Sequence, residues 1–243
     1  MMAAILFVSF IILIFLGIPV AFSLGLSSLL YLVLAEIPLN IVPQKMFAGL
    51  NSFVLLCIPG FILAGNLMNA GGITDRIVQF ANNCFGHIRG GLGLANVGSS
   101  MGFAGISGTA LADTASIGSI LIPAMKKEGY GAGFSAAVTA SSSTVGPIIP
   151  PSLPMIIVGT LASVSIGDLF LAGALPGILL GLGFMIPTYI ISVKRNYPKG
   201  ERKSLKEIWK SFTGAFWALF MTVIILFGIL GGYFTPTEAS IIA

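Results

Sequence analysis

The chain has 243 residues, of which 56% are hydrophobic and only 8% are charged. Its mean hydropathy of +1.02 and its 31 glycines are typical of an all-α polytopic membrane protein whose helices pack through small residues. No stretch is polar enough for a separate soluble domain. The net charge of +4 does not indicate nucleic-acid binding, because seven of the twelve basic residues lie between positions 194 and 210.

Residues 1–72 are predicted to form the N-terminal transmembrane helices. Residues 1–35 carry no charge, and one helix of that length would extend roughly 50 Å against a hydrocarbon core of about 30 Å. Gly17 and Pro19 favour two short spans, 2–17 and 19–35, over one long span. A loop over 36–46 and a span over 47–69 follow. A cleaved signal peptide is disfavoured, because a basic n-region is missing and the apolar run continues past the small residues.

Residues 73–90 are predicted to form an interfacial amphipathic helix. Ile73, Ile77, Phe80, Ala81 and Phe85 share one face, and the polar residues of the segment lie elsewhere. This pattern is typical of a helix that lies in the membrane surface and connects two spans.

Residues 91–128 are rich in Gly, Ser, Thr and Ala and are interrupted by Gly102, Gly105 and Gly108. Two half-length helices of about a dozen residues would each reach only about 18 Å, which favours a re-entrant hairpin that enters and leaves on one face. Its tip would be the segment 105–109. The alternative is a continuous glycine-rich helix that packs through Gly98 and Gly102.

Residues 129–193 are predicted to contain a broken helix followed by another span. The segment 141–154 combines a Ser/Thr cluster with Pro147, Pro150, Pro151 and Pro154. Each proline lacks a backbone N–H and clashes with the preceding turn, so carbonyl groups lose their helical partners. Free carbonyls at membrane depth are tolerated where they line a cavity, as in the ion sites of secondary transporters.

Residues 194–211 are predicted to form a basic cytoplasmic loop, by the positive-inside rule. Counting spans back from this loop places the base of the hairpin in the cytoplasm and residues 36–46 outside. A further span over 212–233 opens the last region, 212–243.

Five stretches together resemble the large membrane subunit, the DctM type, of tripartite ATP-independent periplasmic (TRAP) transporters. They are LGIPVAFSLG near the start, PGFILAGNLMNAGGITDRIVQFA, GISGTALADTASIGSILIPAMKKEGY, GPIIPPS and the late GGYFTPTEAS. The resemblance covers nearly the whole chain and corresponds to roughly the first half of a family member. It implies the first of two inverted repeats of an elevator-type transporter, with residues 212–243 starting the second.

The resemblance also implies a function. The protein would be part of a Na⁺-coupled importer of a small organic acid, such as a C4-dicarboxylate, a keto acid or a sugar acid like sialic acid. It would lie in the bacterial inner membrane as a multi-pass protein and need no cofactor, with Na⁺ as the coupling ion. Its partners would be a small membrane subunit (DctQ type), a periplasmic solute-binding protein (DctP type), the substrate and the lipid bilayer.

The family's first cation site maps, by resemblance, onto Ser107 and the carbonyls around Gly146, Ile149 and Pro151. Hydroxyl and carbonyl oxygens are the ligands that a hard cation prefers. Substrate-binding or gating candidates are Ser99, Thr109, Asp113, Ser143 and Thr144. Asp113 either caps the second half-helix or acts as an intramembrane functional group. The Ser/Thr cluster either contacts substrate or bonds to helix carbonyls.

Three alternatives remain. An ion-coupled anion transporter without a binding protein would use the same features, as would a passive channel. The string Gly105-Ile106-Ser107-Gly108 also matches the GxSG motif of intramembrane serine proteases, which need a histidine from another helix. The only histidine, His87, lies in an interfacial segment, so this alternative and with it an enzyme are disfavoured.

Overall fold

A computed structural model describes residues 2–242 of the chain, and side chains from residue 4 onward. This part is helical throughout and contains no strand. It divides into two compact units, Met1–Ser52 and Phe53–Ala243. Among the described helices, three are long and apolar enough to cross a membrane: Phe53–Ala70, Ile166–Lys194 and Leu205–Leu230.

The first unit contains α1 (Met2–Phe15), α2 (Val20–Leu34) and α3 (Ile41–Leu50). The predicted helix break is confirmed, because Gly17 adopts a φ of +81° and Pro19 precedes the first residue of α2. Whether α1 and α2 each cross the membrane stays a prediction. The predicted loop over 36–46 was too long, since α3 already begins at Ile41 and accommodates Pro43 in its first turn.

The second unit opens with a 3-10 turn over Phe53–Leu56, which continues into α4 (Cys57–Ala70). The predicted span over 47–69 was therefore wrong at its start. Residues up to Leu50 belong to α3, and the chain breaks at Asn51, where ψ is +56°.

The amphipathic helix is confirmed as α5 (Ile73–Phe85). Ile77 and Ala81 are buried, whereas Asp75, Arg76 and Gln79 are exposed. Its apolar face packs on α6 and α11. Its position at the membrane interface stays a prediction.

The glycine-rich region forms α6 (Gly91–Ser107) and α7 (Ala110–Lys127), separated only by Gly108 and Thr109. The helices have 17 and 18 residues, so α6 is about 26 Å long rather than the predicted 18 Å. Gly102 and Gly105 do not break α6. A Cβ on Gly105 would lie 2.4 Å from Thr222 Oγ1 of α11, and one on Gly98 would lie 2.8 Å from the Phe85 ring. These glycines permit close packing, as the alternative interpretation expected.

The proline-broken helix is confirmed as α8 (Ala132–Ser143) and α9 (Leu153–Ala162), with no helix between them. The chain continues into α10 (Ile166–Lys194), which includes Pro176 and Pro187. α8 packs on both α6 and α7, so the broken helix and the two glycine-rich helices form one bundle.

The basic loop is shorter than predicted. A capping box of Ser204 and Glu207 starts α11 (Leu205–Leu230), so Lys206 and Lys210 are helical and the span does not begin at 212. A final short helix, α12 (Pro236–Ile242), packs on α4. An inverted-repeat relation of this last region to the start of the chain stays a prediction.

The outer ends of α6 and α7 both form hydrogen bonds with the basic loop between α10 and α11. Gly90 N donates to Pro198 O at 3.1 Å, just before α6 begins. Beyond the end of α7, Gly131 N donates to the Tyr197 hydroxyl at 3.2 Å, and the Tyr197 ring stacks on Tyr130 at 4.3 Å between centroids. The two helices therefore start and finish at the same end of the bundle, as a hairpin requires. Its re-entry into a membrane stays a prediction.

Candidate functional site

The turn between α6 and α7 is built from Gly108 and Thr109. Gly108 adopts the left-handed conformation with φ of +58°, which disfavours residues with a Cβ. Thr109 is extended, and its hydroxyl caps α7 by accepting from Ala112 N at 3.3 Å. The Ser107 hydroxyl donates to the Thr109 carbonyl at 3.3 Å. The turn thus presents two hydroxyls beside the N-terminus of α7.

The break between α8 and α9 holds unpaired carbonyl groups. Ser152 ends the break as the N-cap of α9, because its hydroxyl accepts a hydrogen bond from Met155 N. The same hydroxyl donates to the Pro147 carbonyl. Within the described chain, the carbonyls of Gly146, Ile149 and Pro151 accept no backbone or side-chain hydrogen bond. For Gly146 a proline explains this, since Pro150 stands where the helix would have supplied an N–H. The corresponding donors for Ile149 and Pro151 bond elsewhere, Leu153 N to the Gly108 carbonyl and Met155 N to the Ser152 hydroxyl.

The turn and the break are in direct contact. Leu153 N donates to the Gly108 carbonyl at 3.4 Å. A Cβ added to Gly108 would lie 2.6 Å from the Pro151 carbonyl oxygen, and one added to Gly146 would lie 3.1 Å from the Thr109 carbonyl oxygen. Glycine is required on both sides because the two backbones approach this closely.

A cavity of about 300 Å³ opens beside the turn. Ser107, Thr109 and Ser116 supply hydroxyl groups to its wall, and Asn66 and Asn69 of α4 supply carboxamides. The remaining lining is mostly apolar and includes Phe61, Phe103, Leu111 and Leu153. A cavity of this size and mixed lining suits a small polar molecule.

A layer of buried polar side chains lies deeper in the bundle, between α6, α7 and α8. Asn96 Nδ2 donates to Thr139 Oγ1 at 2.7 Å, and the hydroxyls of Ser100 and Ser142 are 2.9 Å apart. Asp113 is completely buried, and neither of its carboxyl oxygens has a hydrogen-bond partner among the described atoms. An unpaired buried carboxyl group is costly, which marks this residue as a functional candidate.

The structure brings together most of the predicted cation ligands. Ser107, Gly146 and Pro151 meet where the turn contacts the break. The side chain and amide of Ile149 lie against Gly177 of α10, and its carbonyl, the predicted ligand, accepts no backbone hydrogen bond among the described residues.

The five gating candidates separate into three groups. Thr109 lines the cavity. Ser99 is buried in α6, and Asp113 and Ser143 lie in the buried polar layer. Thr144 is exposed and bonds to the Ser141 carbonyl at 2.6 Å, as the helix-bonding alternative expected.

The contacts of Asp113 and Ser143 bear on the interpretations left open for them. Thr109 holds the N-cap position of α7, and Asp113 lies four residues further on, in the first turn of the helix. Ser143 donates to the Thr139 carbonyl at 2.8 Å, so its hydroxyl also bonds to the helix.

Asn66 and Asn69 were missed in the sequence. Both interrupt the otherwise apolar α4 at a spacing of three residues, which places them on one face of the helix. That spacing was the available signal. Asn96 and Ser100 were missed for a different reason, since only their contacts with α8 distinguish them from the other polar residues of α6.

The protease alternative fails on geometry. His87 precedes α6 and Ser107 ends it, so the length of this helix, about 26 Å, separates them. A serine and its general base must lie within hydrogen-bond reach.

Comparison with known proteins identifies the family. The chain matches the model of the tripartite ATP-independent periplasmic transporter, DctM component, over residues 7–243. It is 44% identical over 232 residues to the sialic acid TRAP transporter large permease protein SiaM of Vibrio cholerae, covering 95% of this chain and 54% of the relative. It is 43% identical over 245 residues to the C4-dicarboxylate TRAP transporter large permease protein DctM of the same organism, covering 100% and 54%.

A third relative is the 2,3-diketo-L-gulonate TRAP transporter large permease protein YiaN of Escherichia coli. It is 40% identical over 230 residues, which is 93% of this chain and 54% of the relative. The chain thus spans about half the length of these relatives. All of them are named as transporter permeases, a class without enzymatic activity. The chain is a membrane protein and belongs to the DctM family of TRAP transporter permeases.

Proposed function

We propose that this chain provides the first half of the membrane permease of a Na⁺-coupled TRAP transporter that imports a small organic acid. The relatives are named for sialic acid, C4-dicarboxylate and 2,3-diketo-L-gulonate transport. All three substrates are acids, which supports the substrate class without selecting a member of it. The cavity beside the turn, at about 300 Å³, has room for a molecule of this size.

One observation carries the proposal: the turn of Gly108 and Thr109 contacts the proline-rich break at residues 144–152. Each segment leaves backbone groups without helical partners, and the contact places them together inside a helical bundle. Interrupted helices that meet in this way are how secondary transporters assemble ion and substrate sites.

We propose that Na⁺ binds at this contact through the Ser107 hydroxyl and the carbonyls of Gly146, Ile149 and Pro151. These oxygens fit a hard cation, and the carbonyls have no competing donor. The carboxyl group of Asp113 lies in the neighbouring polar layer. Na⁺ is a transported ion here and not a resident cofactor.

The substrate would occupy the adjacent cavity. Asn66 and Asn69 can donate hydrogen bonds to its oxygen atoms. Its carboxylate would face the N-terminus of α7, where the dipole of the helix favours an anion. Thr109 would then contact both the substrate and the ion-binding turn, which couples the two.

The complete transporter would contain the second inverted repeat, a small DctQ-type membrane subunit and a DctP-type solute-binding protein. It would lie in the bacterial inner membrane and move by an elevator mechanism. These proposals rest on family membership, because the chain spans only about half of its relatives.

The test is Na⁺-dependent uptake into proteoliposomes that hold the complete transporter and its binding protein. Gly146→Val would push a side chain into the Thr109 carbonyl, and Pro151→Ala would restore a donor at the break, so both should lower uptake strongly. Ser107→Ala removes one neutral ligand and should raise the Na⁺ concentration for half-maximal uptake about fivefold, corresponding to about 1 kcal/mol.

Matched controls are Gly183→Val and Pro176→Ala, both in α10. A Cβ at Gly183 would have no neighbour within 4 Å, and Pro176 is exposed. Both controls should transport normally. If Asp113→Asn abolishes Na⁺ dependence while Gly146→Val and Pro151→Ala retain it, the carbonyl site is wrong and a carboxylate site replaces it. Uptake that never exceeds equilibration with the outside solution would instead indicate a passive channel.

A further inference from the structure

A polar groove of about 430 Å³ lies between α5 and α11, away from the candidate ion and substrate site. α5 contributes Arg76, Gln79 and Asn83 to its wall. The end of the basic loop and the first turns of α11 contribute Lys203, Glu207 and Lys210. The TRAP transport mechanism proposed above makes no use of this groove.

The groove has a net positive charge. Three cationic side chains line it against a single carboxylate. Glu207 is engaged in the helix cap, where its Oε2 accepts from Ser204 N at 2.8 Å and from the Ser204 hydroxyl at 3.0 Å. Arg76 makes one long contact, from Nη1 to the Gly214 carbonyl at 3.5 Å, which leaves its other N–H groups available. Gln79 and Asn83 add neutral donors.

The surroundings of the groove indicate a membrane interface. α11 is one of the helices apolar enough to cross a membrane, and the groove lies at its first turns. Trp209 and Trp217, on the same helix, are 67% and 74% exposed. Exposed tryptophans beside basic residues at the end of an apolar helix are typical of the headgroup region of a bilayer.

We propose that this groove binds the phosphate headgroup of an anionic phospholipid. Arg76, Lys203 and Lys210 would surround the phosphate, and the acyl chains would extend along the apolar surface of α11. Arginine suits this role because its planar fork donates two hydrogen bonds to a phosphate. A soluble phosphate shares the headgroup chemistry but lacks the chains.

The test is native mass spectrometry of the full-length protein purified in detergent, titrated with phosphatidylglycerol or with zwitterionic phosphatidylcholine. The unchanged protein should retain phosphatidylglycerol in preference to phosphatidylcholine. Arg76→Gln, Lys203→Gln and Lys210→Gln should each weaken phosphatidylglycerol binding about fivefold, because one basic residue near a membrane surface contributes about 1 kcal/mol. Arg76→Lys, which keeps the charge, should weaken phosphatidylglycerol binding less than Arg76→Gln does.

Lys126→Gln and Lys127→Gln are the controls, since these exposed lysines end α7 at the same end of the bundle but do not line the groove. Neither should change binding. Equal weakening by the control and groove variants would overturn the proposal in favour of unspecific attraction. Displacement of phosphatidylglycerol by inorganic phosphate would contradict the proposed lipid ligand and would assign a soluble anion to the groove. Melting temperatures of all variants should match, which separates lost binding from lost folding.

Discussion

At the scale of single residues, two glycines at the C-terminal end of α6 serve different purposes. Gly108 takes a left-handed conformation and ends the helix. Gly105 stays helical and lies against α11, where Thr222 Oγ1 donates to its carbonyl at 2.8 Å. The first glycine is needed for its backbone conformation, and the second because a side chain would not fit.

Gly105→Ala should therefore destabilise the protein, although alanine favours helices. Its Cβ would lie 2.4 Å from Thr222 Oγ1, and overpacking of this kind costs about 1–3 kcal/mol. Gly183→Ala is the matched change in open space and should be neutral or stabilising by up to about 1 kcal/mol. Thermal unfolding in detergent measures both. A Gly105→Ala protein as stable as Gly183→Ala would contradict the close contact of α6 and α11.

At the scale of the elements, α6 and α7 form a pair whose outer ends are attached to one loop. Gly90 bonds to Pro198, and Gly131 bonds to Tyr197. Arg195 Nη1 adds a further hydrogen bond to the Tyr197 hydroxyl at 3.4 Å. These contacts oppose any arrangement in which the pair begins on one side of the membrane and ends on the other.

Cysteines that replace Arg89 and Lys127 should consequently react with an impermeant maleimide from the same side. Both positions are exposed, at the start of α6 and the end of α7. Labelling of intact cells and of inverted vesicles decides the side. Reaction from opposite sides would mean that the pair contains an ordinary span, and the re-entrant hairpin would be wrong.

At the scale of the whole molecule, the direction of insertion follows from charge. Of the twelve basic residues, seven lie in or beside the loop between α10 and α11, and the positive-inside rule predicts that this loop faces the cytoplasm. α10 has 29 residues and a length of about 44 Å, enough to carry its other end across a bilayer.

A cysteine at Val164, just before α10, should thus label from the periplasm, and one at Lys203 only after the membrane is opened. Both residues are exposed. The two cysteine variants together test the membrane orientation of the second unit. Labelling of Lys203→Cys in intact cells would mean that the protein has the opposite orientation. The polar groove between α5 and α11 would then face the outer leaflet.

The sequence by itself determined three of the helix breaks. Gly17, Gly108 and the prolines at 147–151 act on their own backbone, through a permitted positive φ or a missing N–H, so local chemistry sufficed to predict them. The capping box at Ser204 is equally local, but it was not predicted, and the span was expected to begin only at 212. The resemblance to TRAP permeases, confirmed by the family match, came from the same short motifs.

Only the tertiary structure decided what each break contacts. The hydrogen bond from Thr222 to Gly105 joins residues 117 positions apart, and no local pattern distinguishes Gly105 from a helix breaker. Asn66 and Asn69 could be recognised by their spacing on α4, but the cavity that they face is completed by α6 and α7, which their own helix does not reveal. For Asp113 the sequence left open a cap of α7 or an intramembrane functional group, and only packing showed that its carboxyl group is buried without a hydrogen-bond partner among the described atoms. The burial of a residue depends on which helices surround it, and those helices come from distant parts of the chain. A local sequence pattern therefore cannot predict it.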